Sequence, residues 1–128
     1  MKHAAGEFEV KLSPQSATDA GFGHFVFDKQ FHGGIEGTSK GEMWTSGEAA
    51  KGSAGYVALE RVTAKLDGQS GSFVLQHNGS MDGGKLQLTV SVVPGSGSGE
   101  LAGIEGSMTI KIEAGKHSYD FEYMLPER

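Results

Sequence analysis

Two ionisable residues stand in otherwise apolar stretches of this chain: Glu60 in YVALERVTAKL and His77 in GSFVLQHNG. Read as strands, these stretches send alternate side chains to opposite faces. Glu60 then shares a face with Tyr56, Ala58, Val62, Ala64 and Leu66, and His77 with Phe73, Leu75, Gly79 and Met81. If Asp67-Gly68-Gln69-Ser70 is the connecting loop, Glu60 lies directly opposite His77. A two-residue slip keeps the faces matched and leaves the pair diagonal, roughly 7–8 Å apart at the backbone. A carboxylate beside an imidazole on an apolar surface is equipment for general acid–base chemistry, with Glu60 taking a proton and His77 orienting or relaying it. The same pair also serves as a satisfied polar contact that fixes strand register. Burial raises a carboxyl pKa and a protonated imidazole lowers it, so spacing alone does not set the working value.

Lys29 and Glu42 form a second constellation. A tight turn at Gly33-Gly34 sets Phe25 opposite Glu42 and Lys29 opposite Thr38, so an inward Phe25, Phe27 and Phe31 brings both charges inside. The competing face carries Asp28, Ser39 and Met43, and a solvated outer position is the expectation for Lys29 and Glu42.

The elements that must position these residues are strands, because period-two alternation recurs and the helical period does not. They run through Phe8, Val10 and Leu12; Phe25, Phe27 and Phe31; Ile35 to about Ser46; the two stretches quoted above; Leu86 to Val92; Met108, Ile110 and Ile112; and Tyr119 to Leu125. GSGSG at 95–99 breaks the chain, and only GEAAKG at 47–52 suits a helical turn. The 21 glycines among 128 residues punctuate strands, since only 3 prolines accompany them. Eight strands with short connections suggest an all-β, single closed antiparallel barrel over residues 1–128, with a β-sandwich as the alternative. An eight-stranded barrel is either just filled by side chains or has room for one small ligand.

The runs FDKQFHGGIEGTSKGEM (27–43), GSAGYVALERV (52–62), GSFVLQHNGSM (71–81) and GKHSYDFEY (115–123) resemble an uncharacterised bacterial family, a domain of unknown function whose fold is similar to the allene oxide cyclase barrel. The resemblance spans nearly the whole chain and implies the barrel over the sandwich. It implies no activity, since no cyclase motif is present to carry over. Trp44 stands where the family pattern implies an aliphatic residue.

Several functions are excluded or disfavoured. Without cysteine there is no disulfide framework, thiolate nucleophile or Cys-based metal site. The net charge of −5 comes from scattered charges without a basic stripe, so nucleic acid is not an expected partner. The start MKHAAGEFEV has no apolar signal core and no run is long enough for a membrane helix, so a cytoplasmic protein without membrane contact is expected. His3, His24, His32 and His117 lack ligand spacing, so no metal or other cofactor is expected. GxGxxA at 97–102 is not followed by a helix, and GxSxG at 37–41 falls in a strand, so neither carries nucleotide or nucleophile chemistry.

Three functions remain. The first is binding of a small hydrophobic or aromatic molecule in the lumen, lined by Tyr56, Phe73, Leu75, Tyr119, Phe121 and Trp44. The second is a cofactor-free isomerase, cyclase or eliminase using Glu60 as base. The third is a structural barrel with a filled lumen that forms homo-oligomers through Val57 and Leu59.

Overall fold

The alternating stretches do become strands in the computed structural model, which describes residues 1–127. They are β1 (Lys2–Pro14), β2 (Gly23–Gly33), β3 (Ile35–Glu48), β4 (Ser53–Leu66), β5 (Gln69–Asp82), β6 (Lys85–Val92), β7 (Ser98–Gly99), β8 (Glu105–Glu113) and β9 (Lys116–Met124). A single 3-10 turn, Ala49–Lys51, occupies the one segment suited to it. Following the chain, β1 to β6 pair antiparallel in sequence, β6 meets β8, β8 meets β9, and β9 returns to β1. The result is a closed eight-stranded antiparallel barrel with β7 as an extra short strand. Closure satisfies the backbone groups that an open sheet would leave at its edges. β7 covers Gly71 and Ser72 of β5, below the segment Leu75–Asp82 that β6 covers.

One half of the barrel is filled. Phe31, Ile35, Val62, Leu66, Phe73, Leu75 and Phe121 are wholly buried there. Phe73 stacks on Phe121 with ring centres 5.5 Å apart, and Phe121 on Tyr123 at 5.4 Å. Leu101 and Ile104, from the loop before β8, are also buried and plug this end. Burial at this density is the main term holding the fold, about 1.5–3 kcal/mol for each large apolar side chain.

Two hairpins differ from expectation. Asp67 and Gly68, with φ of 52° and 78°, make a two-residue turn, so Leu66 pairs with Gln69 instead of Gly71. That slip of two leaves every face unchanged. Between β2 and β3 the slip is one: Phe31 pairs with Gly37 and Lys29 with Ser39. Gly33, at φ 98°, packs so closely on β1 that an added Cβ would lie 2.6 Å from the Ala5 carbonyl oxygen. The extra residue in this connection turns the β3 faces over. Lys29 and Ser39 are therefore buried inside the barrel, which corrects the expected outer position of Lys29, while Glu42 is outside and exposed as expected.

The other end is open. Val10, Leu12, Leu86 and Ile112 carry the inward parity of their strands yet remain 37–64% exposed. Their strands run past their neighbours: β1 loses β9 beyond Phe8, and β6 meets β8 only at Ser91 and Ser107. No helix among the described residues is long and apolar enough to cross a membrane.

Candidate functional site

Glu60 is the centre of a buried polar chain. It sits on the inward face of β4 with no exposed surface. Its Oε1 accepts from His77 Nε2 at 2.8 Å and from Lys29 Nζ at 3.1 Å, while Oε2 accepts from the Ser39 hydroxyl at 2.6 Å. Three strands besides its own supply these donors, so closure of the β2–β5 wall is what assembles the cluster. Burial pushes the Glu60 carboxyl pKa up, but the His77 hydrogen bond, the Lys29 ammonium and Ser39 outweigh it and hold it below its ordinary value. Glu60 is thus an ionised, fully partnered carboxylate.

Lys29 has Glu60 on one side and rings on the others. Its Nζ lies 4.6 Å from the centre of Phe8, 5.4 Å from Phe27 and 5.9 Å from Phe31. The electron-rich ring faces stabilise an ammonium that has left water. This explains how a lysine tolerates the interior of a small barrel.

His77 carries the chain outward. Because an ionised carboxylate only accepts, its Nε2 must bear the hydrogen that faces Glu60. Nδ1 points to the Tyr56 hydroxyl at 3.4 Å, and Phe27 packs edge-on to the imidazole. Tyr56 is half-buried, and its phenol pKa is pushed up by burial and by the charge of Glu60. Its ring lies over Gly79, where a Cβ would come within 2.3 Å of Cε1. A glycine on the neighbouring strand thus creates the place for the ring.

Tyr56 in turn faces a pocket of about 450 Å³ at the open end, lined also by Phe25, Met43, Ala54, Gly79 and Met81. The residues with polar side-chain atoms in this lining are Thr45, Ser46, Ser80 and Tyr56. Such a volume suits one small molecule. A larger hollow of about 880 Å³ runs along the outer wall beside Asp28, Lys40, Glu42, Trp44 and Arg61. That hollow lies between the sheet and the loop at Val93–Ser96; Phe27 and Glu60 contribute to its lining, whereas His77 and Tyr56 do not.

The residues singled out in the sequence are divided by the fold. Glu60, His77 and Lys29 come together, and Ser39 joins them because of the one-residue slip. Tyr56 reaches the same network from the pocket side. Phe73, Leu75, Tyr119 and Phe121 pack into the filled half, where the Tyr119 hydroxyl donates to the His32 carbonyl at 2.7 Å and accepts from the Ile35 amide at 2.9 Å. Trp44 is on the outer wall and not in the lumen: it follows the even-numbered parity of β3 and stacks on His24 at 5.3 Å. Glu42 accepts from His24 on that same outer face at 3.1 Å. Phe25, Met43, Ala54 and Met81 escaped notice as a lining. The one-residue slip hid the pairing of Met43 with Phe25, and the exposure of the others depends on where neighbouring strands stop. Among the described residues no group of three or more His, Cys, Asp or Glu side chains is placed to hold a metal ion.

The fold and pocket define a class: a closed eight-stranded antiparallel β-barrel with one end packed and the other open to a small apolar pocket. Residues 4–123 match a family described as a protein of unknown function (DUF3224), and the chain belongs to that family. It is similar to a crystal structure of a protein of unknown function from the same family in Shewanella oneidensis MR-1, at 46% identity and a TM-score of 0.93 over 100% of this chain and 99% of that one. No curated protein matches it significantly.

Proposed function

We propose that this barrel binds a small, largely apolar molecule in its open mouth, with the Tyr56 hydroxyl meeting the molecule's one polar group. The observation that carries this function is the joining of two features: an apolar pocket of about 450 Å³, and a polar chain that ends at its wall. Apolar lining supplies most of the affinity in such pockets, and a few fixed polar groups supply orientation. The exposed inward residues Leu12 and Leu86 extend the apolar surface around the entrance.

Proton abstraction by Glu60 fits the geometry less well. Both of its oxygens are occupied, it has no exposed surface, and its depressed pKa makes it a weak base. In this arrangement Glu60 is a positioning residue for His77, and any ligand contact falls to Tyr56. Self-association through Val57 and Leu59, both about half exposed on the outer wall, would be compatible with binding at the mouth.

The test is titration with an uncharged fluorescent probe such as N-phenyl-1-naphthylamine. The native chain should bind it saturably. Ala54→Trp, which fills the pocket, should abolish binding while the melting temperature is kept, and Val57→Ser on the outer wall should leave binding intact. Binding that survives Ala54→Trp would place the probe elsewhere and sink the proposal.

A further inference from the structure

The hydrogen-bond directions in the buried chain specify what kind of polar group the mouth prefers. Glu60 accepts three hydrogen bonds, and one of them fixes the His77 hydrogen on Nε2. Neutral His77 then presents a bare lone pair at Nδ1. The groups facing its ring are Glu60 and Tyr56 from β4, with Phe27 from β2, and among them Tyr56 supplies the one hydroxyl at Nδ1. Lys29 and Ser39 act on His77 only through Glu60. With its proton directed inward to His77, the Tyr56 oxygen has only lone pairs left to offer a molecule in the pocket that Tyr56 lines.

A wall group of this kind takes a hydrogen-bond donor. It also has a route for the donor's proton, since each atom along the path already holds the hydrogen that the next atom would receive. We infer that the mouth is selective for apolar molecules carrying an acidic hydroxyl, a phenol or an enol, and that Tyr56 and His77 accept the ligand's proton by relay. In the step, the ligand O–H bond breaks and a new O–H bond forms on Tyr56, while the original Tyr56 proton moves to His77 Nδ1. The products are a ligand oxyanion hydrogen-bonded to the Tyr56 phenol, and an imidazolium whose Nε2–H still faces the Glu60 carboxylate. No redox partner or other reactant is required. The imidazolium formed is held by the anionic Glu60, as the buried carboxylate does for the histidine of a Ser-His-Asp triad. Lys29 limits that assistance by sharing the same Oε1 oxygen.

This inference rests on the mouth being a ligand site, and the experiment separates the two. The probes are 4-nitrophenol, whose phenol and phenolate forms absorb at different wavelengths, and 4-nitroanisole, its methyl ether, which keeps the shape and cannot donate. The native chain should bind 4-nitrophenol at least about tenfold more tightly than 4-nitroanisole, as one charge-assisted hydrogen bond warrants. The bound 4-nitrophenol should show the phenolate band at a pH where the free probe is mainly phenol. Tyr56→Phe removes one oxygen from a half-buried ring and should bring the two affinities together. His77→Gln, with folding verified by its urea transition, should abolish the phenolate band. Equal affinities in the native chain, or a bound probe that stays un-ionised, would overturn the relay and leave the apolar pocket standing. Failure of both probes to bind would remove the pocket as well.

Discussion

His77 faces Ala58 across the β4–β5 pair, yet its Nε2 reaches Glu60, one inward position further along β4, at 2.8 Å. The diagonal contact leaves Nδ1 free to point to Tyr56, one inward position to the other side of Ala58. A directly opposed pair would have left the imidazole no such span. Since Glu60 is held ionised, His77 should exist, when neutral, as the Nε2–H tautomer. Nitrogen-15 chemical shifts of the imidazole should show a protonated Nε2 and a bare Nδ1. The opposite tautomer would reverse every hydrogen-bond direction drawn from the site to the mouth.

The Lys29–Glu60 pair should behave as a coupled unit. Both side chains are more than nine-tenths buried, so removing one strands the other's charge. Lys29→Met should cost about 3–5 kcal/mol in urea denaturation. Adding Glu60→Gln to that variant should then restore stability, because glutamine keeps an acceptor for His77 and removes the uncompensated charge. If the second substitution destabilises further, the pair is not the electrostatic unit that its geometry describes.

Acid should expose the same linkage. The Glu60 pKa is lower in the folded chain than its ordinary 4.5, so the folded state favours the ionised form. That contribution is fully present above the ordinary value and is lost as pH falls through the depressed one. The urea midpoint of the native chain should therefore drop on acidification more steeply than that of the Lys29→Met/Glu60→Gln variant. Parallel profiles between neutral pH and pH 3 would show that Glu60 titrates alike in both states.

What could be read from sequence follows from how strands err. A slip of two between β4 and β5 preserves faces, so the meeting of Glu60 and His77 was legible even though the turn at Asp67-Gly68 was drawn too long. A slip of one between β2 and β3 reverses a face, and this is why the register that paired Lys29 with Thr38 hid its meeting with Ser39 inside the barrel. The family and the barrel were legible in the long runs that carry the resemblance. Leu101 and Ile104 were not, because a plug built from an irregular loop has no period to announce it. The mouth lining was not legible either, since Met81 and Phe73 have the same inward parity and only the lengths of neighbouring strands separate an open end from a packed one.

Two glycines give a last prediction, because they differ in what an added methyl group would meet. At Gly79 the nearest three atoms, from 2.3 Å, all belong to the Tyr56 ring. At Gly41 the Phe27 ring lies at 2.3 Å and the Leu59 carbonyl oxygen at 2.7 Å. A ring at the pocket wall can swing away, whereas a backbone carbonyl in a paired strand cannot move without its ladder. Gly41→Ala should therefore cost more stability than Gly79→Ala, with about 1–3 kcal/mol expected for overpacking of this kind. Gly79→Ala should keep its urea midpoint close to the native value while losing the Tyr56–His77 contact, seen as lost cross-peaks between the two rings by NMR. Equal losses of stability in the two variants would mean that Tyr56 is anchored as firmly as the barrel wall, and a ligand would then meet a fixed hydroxyl and not an adjustable one.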